Sequence, residues 1–142
     1  WPNWPRGPAP RLLRVLFLGY AWMPVSMALY AAQSLLRLGG GDALGRAPAH
    51  ALFVGFFGSL LVAMVTRVTQ GHAGRPLVFG GVATFAFAAI QCVCVARIVA
   101  ELVPDQMAWQ AAAAFGWLLA FTPWVLRSLR IYATPRIDGK PG

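Results

Sequence analysis

Four apolar runs, each long enough to cross a bilayer, leave this chain almost no water-soluble alternative. They lie at about Leu12–Leu38, Pro48–Thr66, Pro76–Ile98 and Gln106–Leu126. At about 1.5 Å of rise per residue, each matches a hydrocarbon core of roughly 30 Å. A backbone in lipid must satisfy its own hydrogen bonds, so these runs are read as helices. Composition agrees. Of 142 residues, 58% are hydrophobic and 11% charged, with a mean hydropathy of +0.62. A soluble domain carries roughly a quarter of charged residues. The expected fold is all-α, a polytopic membrane bundle of four transmembrane helices in one domain.

The breakers fall between the runs. Gly39-Gly40-Gly41-Asp42 follows the first, Gly71 and Gly74 precede the third, and Pro104-Asp105 precedes the fourth. Pro48 and Pro76 are placed to open helices, where a missing N–H costs nothing. Pro24 predicts a kink inside the first helix, and Pro123 a bend near the end of the fourth. No internal repeat is visible. Gly55, Gly58, Gly80, Gly81, Ala83, Ala86, Ala89 and Ala111 to Ala114 are small residues at helix-contact spacing, which permits close backbone approach.

A net charge of +8 raises nucleic-acid binding as a reading. The basic residues sit at the ends of apolar runs and not on one polar face, so they are read as topology determinants and partners of anionic headgroups. Nine of them fall before the first run, between the second and third, and after the fourth; three fall on the other side with Asp42, Glu101 and Asp105. The positive-inside rule therefore predicts cytoplasmic termini and a cytoplasmic 67–75 segment. Trp109 and Trp124 are expected near the two interfaces. The first apolar run is too long for a signal peptide, and a chain starting on Trp1 is expected to be a piece of a longer one.

The histidines bracket the second run. His50 stands about one turn inside its start, on a stripe with Val54, Phe57, Leu61 and Met64 at helical spacing. Ionisable residues in membrane helices usually face the protein interior. Its imidazole is either a haem or copper ligand or a hydrogen-bonding partner of a carbonyl or headgroup. His72 follows the run in a polar, Gly-containing turn with Thr69, Gln70 and Arg75. It is read as a solvated histidine or as a ligand at a second site, because about 33 Å of helix would separate it from His50. Arg67, with Thr66, Thr69, Gln70 and Arg75, forms a polar patch suited to carboxylates, phosphates, haem propionates or headgroups.

Cys92 and Cys94 lie in an apolar run, about 200° apart on a helix, and cannot jointly chelate one ion. Met23, Met27, Met64 and Met107 are read as packing residues. There is no CxxCH, no Gly-rich loop followed by Lys and no Ser-His-Asp pattern. Hydrolase, kinase and c-type haem readings have no support.

The continuous stretch from His50 to Leu77, 28 residues, resembles one family. It reads Ala49-His50-Ala51-Leu52, an apolar run containing Gly55, then Met64-Val65-Thr66-Arg67, then Gly71-His72-Ala73-Gly74-Arg75-Pro76-Leu77. This is similar to the late segment of the NnrS family. The resemblance implies a polytopic bacterial inner-membrane protein of the nitric oxide response, containing haem and copper. It implies that this chain is the C-terminal third of such a protein, packed against that protein's remaining helices or a partner subunit. Carried over residue by residue, it points to His50 and His72 as metal ligands and to His50, Arg67 and Arg75 as cofactor-binding residues, for haem b and copper. The expected ligand is nitric oxide, with no nucleic acid. Two other classes stay open: a cofactor-free transporter or channel segment, and a structural four-helix subunit. The charge distribution makes its own prediction. A reporter fused after Gly142 is expected to be active only on the cytoplasmic side, and a periplasmic readout would reverse the topology.

Overall fold

The computed structural model describes residues 11–139, and all of its long elements are helices. Four are long and apolar enough to cross a membrane: α1 (Arg11–Leu38), α2 (Ala47–His72), α3 (Gly81–Ala100) and α4 (Gln106–Tyr132). This is the all-α, four-span architecture that the hydropathy requires. Arg6 and Lys140, counted for orientation, lie outside the described residues.

α1 and α2 form the most extensive helix pair, α3 packs along α4, and α2 and α3 lie in the middle. Val62 of α2, Ala83, Ala86, Phe87 and Ile90 of α3, and Ala120, Phe121 and Trp124 of α4 share one core, to which Phe79 is added from the loop before α3. Alanines at helix-contact spacing let the α3 backbone approach its neighbours, as small residues do between membrane helices.

α1 is bound differently. Its buried residues are Gly19, Ser26 and Gln33, seven apart, which keeps them on one line of the helix. None brings much apolar area. Ser26 Oγ donates to the Pro48 carbonyl at 3.0 Å. Gln33 Nε2 donates to the Gly45 carbonyl at 2.6 Å and to Asp42 at 3.1 Å. Gly19 faces Ser59, where an added Cβ would stand 2.9 Å from the serine Cβ. Lipid tails are as apolar as leucine, so helices associate through contact and hydrogen bonds instead of apolar burial.

Several boundaries differ from the sequence expectation. α2 does not end at Thr66; it continues to His72, because Thr66, Thr69 and Gln70 are buried and find partners inside the bundle. Trp124 Nε1 donates to Thr66 Oγ1 at 2.9 Å, Thr69 Oγ1 to the Tyr132 hydroxyl at 3.0 Å, and Gln70 Nε2 to the Val78 carbonyl at 2.7 Å. Pro76 does not open α3. It lies in an extended connection, and the helix begins at Gly81. α4 runs beyond Leu126 to Tyr132. Trp124 is not an interface residue: it is buried in the core, while Trp109 is exposed. Pro24 and Pro123 both lie inside continuous helices.

Within α2, residues Ala51–Phe57 are wound as a π-helix. Such wide turns occur mostly as local insertions, often at functional positions. Here the wide turn begins directly after His50. It breaks the expected stripe: Phe57, Leu61 and Met64 lie on an exposed face, while His50 is half-buried and points elsewhere. At Gly55 the wide turn meets both neighbours. An added Cβ would lie 2.6 Å from Cδ2 of Trp22 on α1 and 2.9 Å from Cys94 Sγ on α3. Gly55→Val is therefore expected to destabilise the bundle by about 1–3 kcal/mol. Gly81→Ala, with nothing within 4 Å of the new Cβ, should change stability by less than about 0.5 kcal/mol. Thermal melts in detergent compare the two, and equal melting temperatures would refute the close-approach account.

Candidate functional site

Burial at one end of the bundle brings together two side chains from different helices. His50 leaves α2 in its first turn, and Glu101 caps the C-terminus of α3. His50 Nε2 lies 3.4 Å from Glu101 Oε1, with the side chains 20% and 8% exposed. The other carboxylate oxygen, Oε2, accepts the Arg46 backbone N–H at 3.1 Å. Oε1 is buried and has no hydrogen-bond partner.

The approach of Glu101 depends on the loop after α1. Gly45 adopts φ +47°, and a Cβ there would run into the Glu101 carboxylate. Only a residue without a Cβ takes this backbone shape at low cost while leaving room for the acid. Gln33 holds the Gly45 carbonyl from α1. Pro48 pins the start of α2 through Ser26, and Cys94 Sγ lies 3.6 Å from the His50 carbonyl. The Arg46 N–H thus holds Glu101 directly, while these three contacts fix the backbone that carries His50.

The separation has chemical meaning. At 3.4 Å, nitrogen and oxygen are further apart than the usual 2.7–3.2 Å of an N–H···O bond. Two donors, each about 2.0–2.2 Å from one tetrahedral first-row ion, stand about 3.4 Å apart. An imidazole nitrogen and a carboxylate oxygen are donors that first-row divalent ions accept. Among the described residues, no cluster of three or more His, Cys, Asp or Glu is placed to hold a metal, so the chain offers a donor pair. Any haem iron on the same nitrogen would have to share its surroundings with the Glu101 carboxylate, 3.4 Å away.

The remaining sequence candidates lie at the opposite end. Arg67 is about 25 Å along α2 from His50 and His72 about 33 Å, so neither shares a ligand with it. His72 lies in the last turn of α2, not in a loop, and is exposed. Arg67 is exposed; Arg75 is half-buried with its Nε lacking a partner. The expected polar patch is split: Thr66 and Thr69 tie α2 to α4, Gln70 ties it to the connection before α3, and Arg67 and His72 face outward. His72 and Arg67 both line one open groove, of about 340 Å³, with Arg136. Cys92 is exposed and Cys94 buried, on opposite sides of α3 as their spacing requires.

Sequence reasoning treated Glu101 only as one acid on the less basic side. A stronger signal was present: it is one of four acids in the chain, at the membrane end where His50 begins its helix.

These helices define a multi-pass membrane protein with a half-buried His–Glu pair at one end of its bundle. The chain matches the NnrS protein family over residues 1–136, and it belongs to that family. Comparison with curated proteins and with solved structures gives no match.

One group near the site titrates outside the spans. Hydrogen bonds from Arg37, then from Gln33, hold the Asp42 carboxyl below its ordinary range against a smaller opposing effect of burial. A lowered folded pKa stabilises the loop above the ordinary carboxylate pKa, and that contribution is lost as pH falls through the folded value. Protection of the Gly41 and Gly45 amides, corrected for the intrinsic pH dependence of exchange, should therefore fall as pH drops below about 4. The fall should disappear in Asp42→Asn, and an equal one in that variant would exclude Asp42 as the cause.

Proposed function

We propose that this NnrS-family protein limits nitric oxide stress by binding NO at a copper ion held by His50 and Glu101. The observation that carries the reading is the His50 Nε2–Glu101 Oε1 pair, 3.4 Å apart and with Oε1 otherwise without a hydrogen bond. Family membership supports the choice of copper among first-row ions. The proposed setting is the bacterial inner membrane, with both termini cytoplasmic, so the pair lies toward the periplasmic side, where NO arrives through the lipid.

A copper ion held there by His50 and Glu101 would supply one-electron chemistry and an affinity for NO. The chain's residues do the rest. Glu101 contributes a negative oxygen that offsets the ion's charge in a poorly hydrated position. Arg46 N–H holds the second oxygen of that carboxylate, so the first stays aimed at the imidazole. The Gln33–Gly45 bond fixes the loop over the pair, and burial of both side chains limits water. Ligand groups need such supporting contacts, whose loss typically costs about 10–100-fold in metal affinity.

The resemblance also brings haem b. The Glu101 carboxylate beside His50 favours an ion over a haem at that nitrogen. His72 and Arg75 belong to the opposite face and are assigned no part in the copper centre.

Copper content and affinity of the purified protein test the reading. His50→Ala and Glu101→Gln are each expected to weaken copper binding at least about tenfold, with nitrogen hyperfine coupling lost from the Cu(II) resonance in His50→Ala. His72→Ala should leave both unchanged. Unaltered copper binding in the first two variants, with helicity intact, overturns the assignment.

A further inference from the structure

Two grooves run into each other at the end of the bundle opposite His50. One, of about 290 Å³, is walled by Leu12, Leu13 and Leu16 of α1 and by Ala63 and Met64 of α2. The other, of about 340 Å³, continues past Val68 to His72 and Arg136. Met64, Arg67 and Leu77 line both, so the two are one cleft. Its chemistry changes along its length, from aliphatic side chains to a guanidinium and an imidazole.

Arg67 stands at the change. It is exposed and makes no ion pair among the described residues. The other cation, Arg136, is already committed: it donates two hydrogen bonds to Asp138, at 2.9 and 2.6 Å. Packing does not account for Arg67 either, since its neighbours Thr66, Thr69 and Gln70 make the contacts to α4 and to the connection before α3. An apolar trough between two membrane helices that ends on an uncommitted guanidinium complements an amphiphile with an acyl chain and a negative head. Arginine suits a phosphate oxygen pair because its N–H groups form a planar fork.

We propose that this cleft seats one anionic phospholipid, with an acyl chain along Leu12, Leu16 and Met64 and its phosphate on Arg67. His72 stands beside the phosphate as a second hydrogen-bond donor. The lipid fills the space between α1 and α2 that their own side chains leave open, and it fastens α1 where the Gly19–Ser26–Gln33 line ends. The proposal is independent of copper at the other face.

Native mass spectrometry of the full chain, released from detergent with added phosphatidylglycerol or phosphatidylcholine, tests it. One phosphatidylglycerol is expected to stay bound in preference to phosphatidylcholine. Arg67→Ala should weaken its retention about fivefold, the worth of one basic residue near anionic lipid. Arg67→Lys should restore part of it, and Arg130→Ala, a cation outside the cleft, should not matter. Leu16→Trp, which fills the trough, should abolish retention with Arg67 intact. Equal retention of both lipids, unchanged retention in Arg67→Ala, or competition by inorganic phosphate alone would each overturn the proposal. A haem adduct lost in Arg67→Ala would do so as well, by showing a different occupant.

Discussion

Helices in lipid gain little from hiding apolar surface, and the arrangement of this protein follows from that constraint. The α1–α2 contact shows it most plainly. Its inward line is a glycine, a serine and a glutamine, and two of the three are bound to backbone carbonyls of the next element. Both carbonyls lie at the loop and the first turn that precede His50. The helix that contributes no side chain to the His50–Glu101 pair therefore helps to decide where His50 stands.

Glycine and alanine perform the complementary task. Gly55 lets a wide turn of α2 press against Trp22 and Cys94 at once, and Gly58 admits the Ile90 side chain. The π-helical segment and the glycine belong together. A wider turn pushes backbone outward, and only a residue without a side chain can occupy the space that is left. The polar groups nearby are satisfied across helices: Trp22 donates to Gln91, and Gln91 donates to Ser59. In a medium without water these bonds have no competing partner, so they fix rotation of the helices about their axes.

The two membrane faces have different characters. At one, a carboxylate and an imidazole are held by backbone in a poorly hydrated recess. At the other, cations surround open clefts and meet the surface. One helix, α2, carries the distinctive residue of each. Its length keeps them independent, since about 33 Å separates His50 from His72. A haem bridging both, or a shared anion site, is excluded by distance alone.

Hydropathy and breaker positions were enough to dictate four spans, the connections between them, and the opposite facing of Cys92 and Cys94, because these follow from helix geometry and from the cost of unpaired backbone in lipid. The stripe through His50 and the single polar patch around Arg67 did not survive packing, and the partner of His50 was not legible either. Glu101 lies 51 residues further along the chain, and periodicity within one helix says nothing about which acid a loop glycine will admit. The same holds for the ends of α2 and the burial of Trp124: polar residues near an apolar run look like its boundary until another helix supplies their partners. Sequence alone determined the medium and the number of crossings, which are properties of each segment by itself. Tertiary packing decided which side chains meet, because that depends on glycine-sized gaps and hydrogen bonds between segments far apart in the chain.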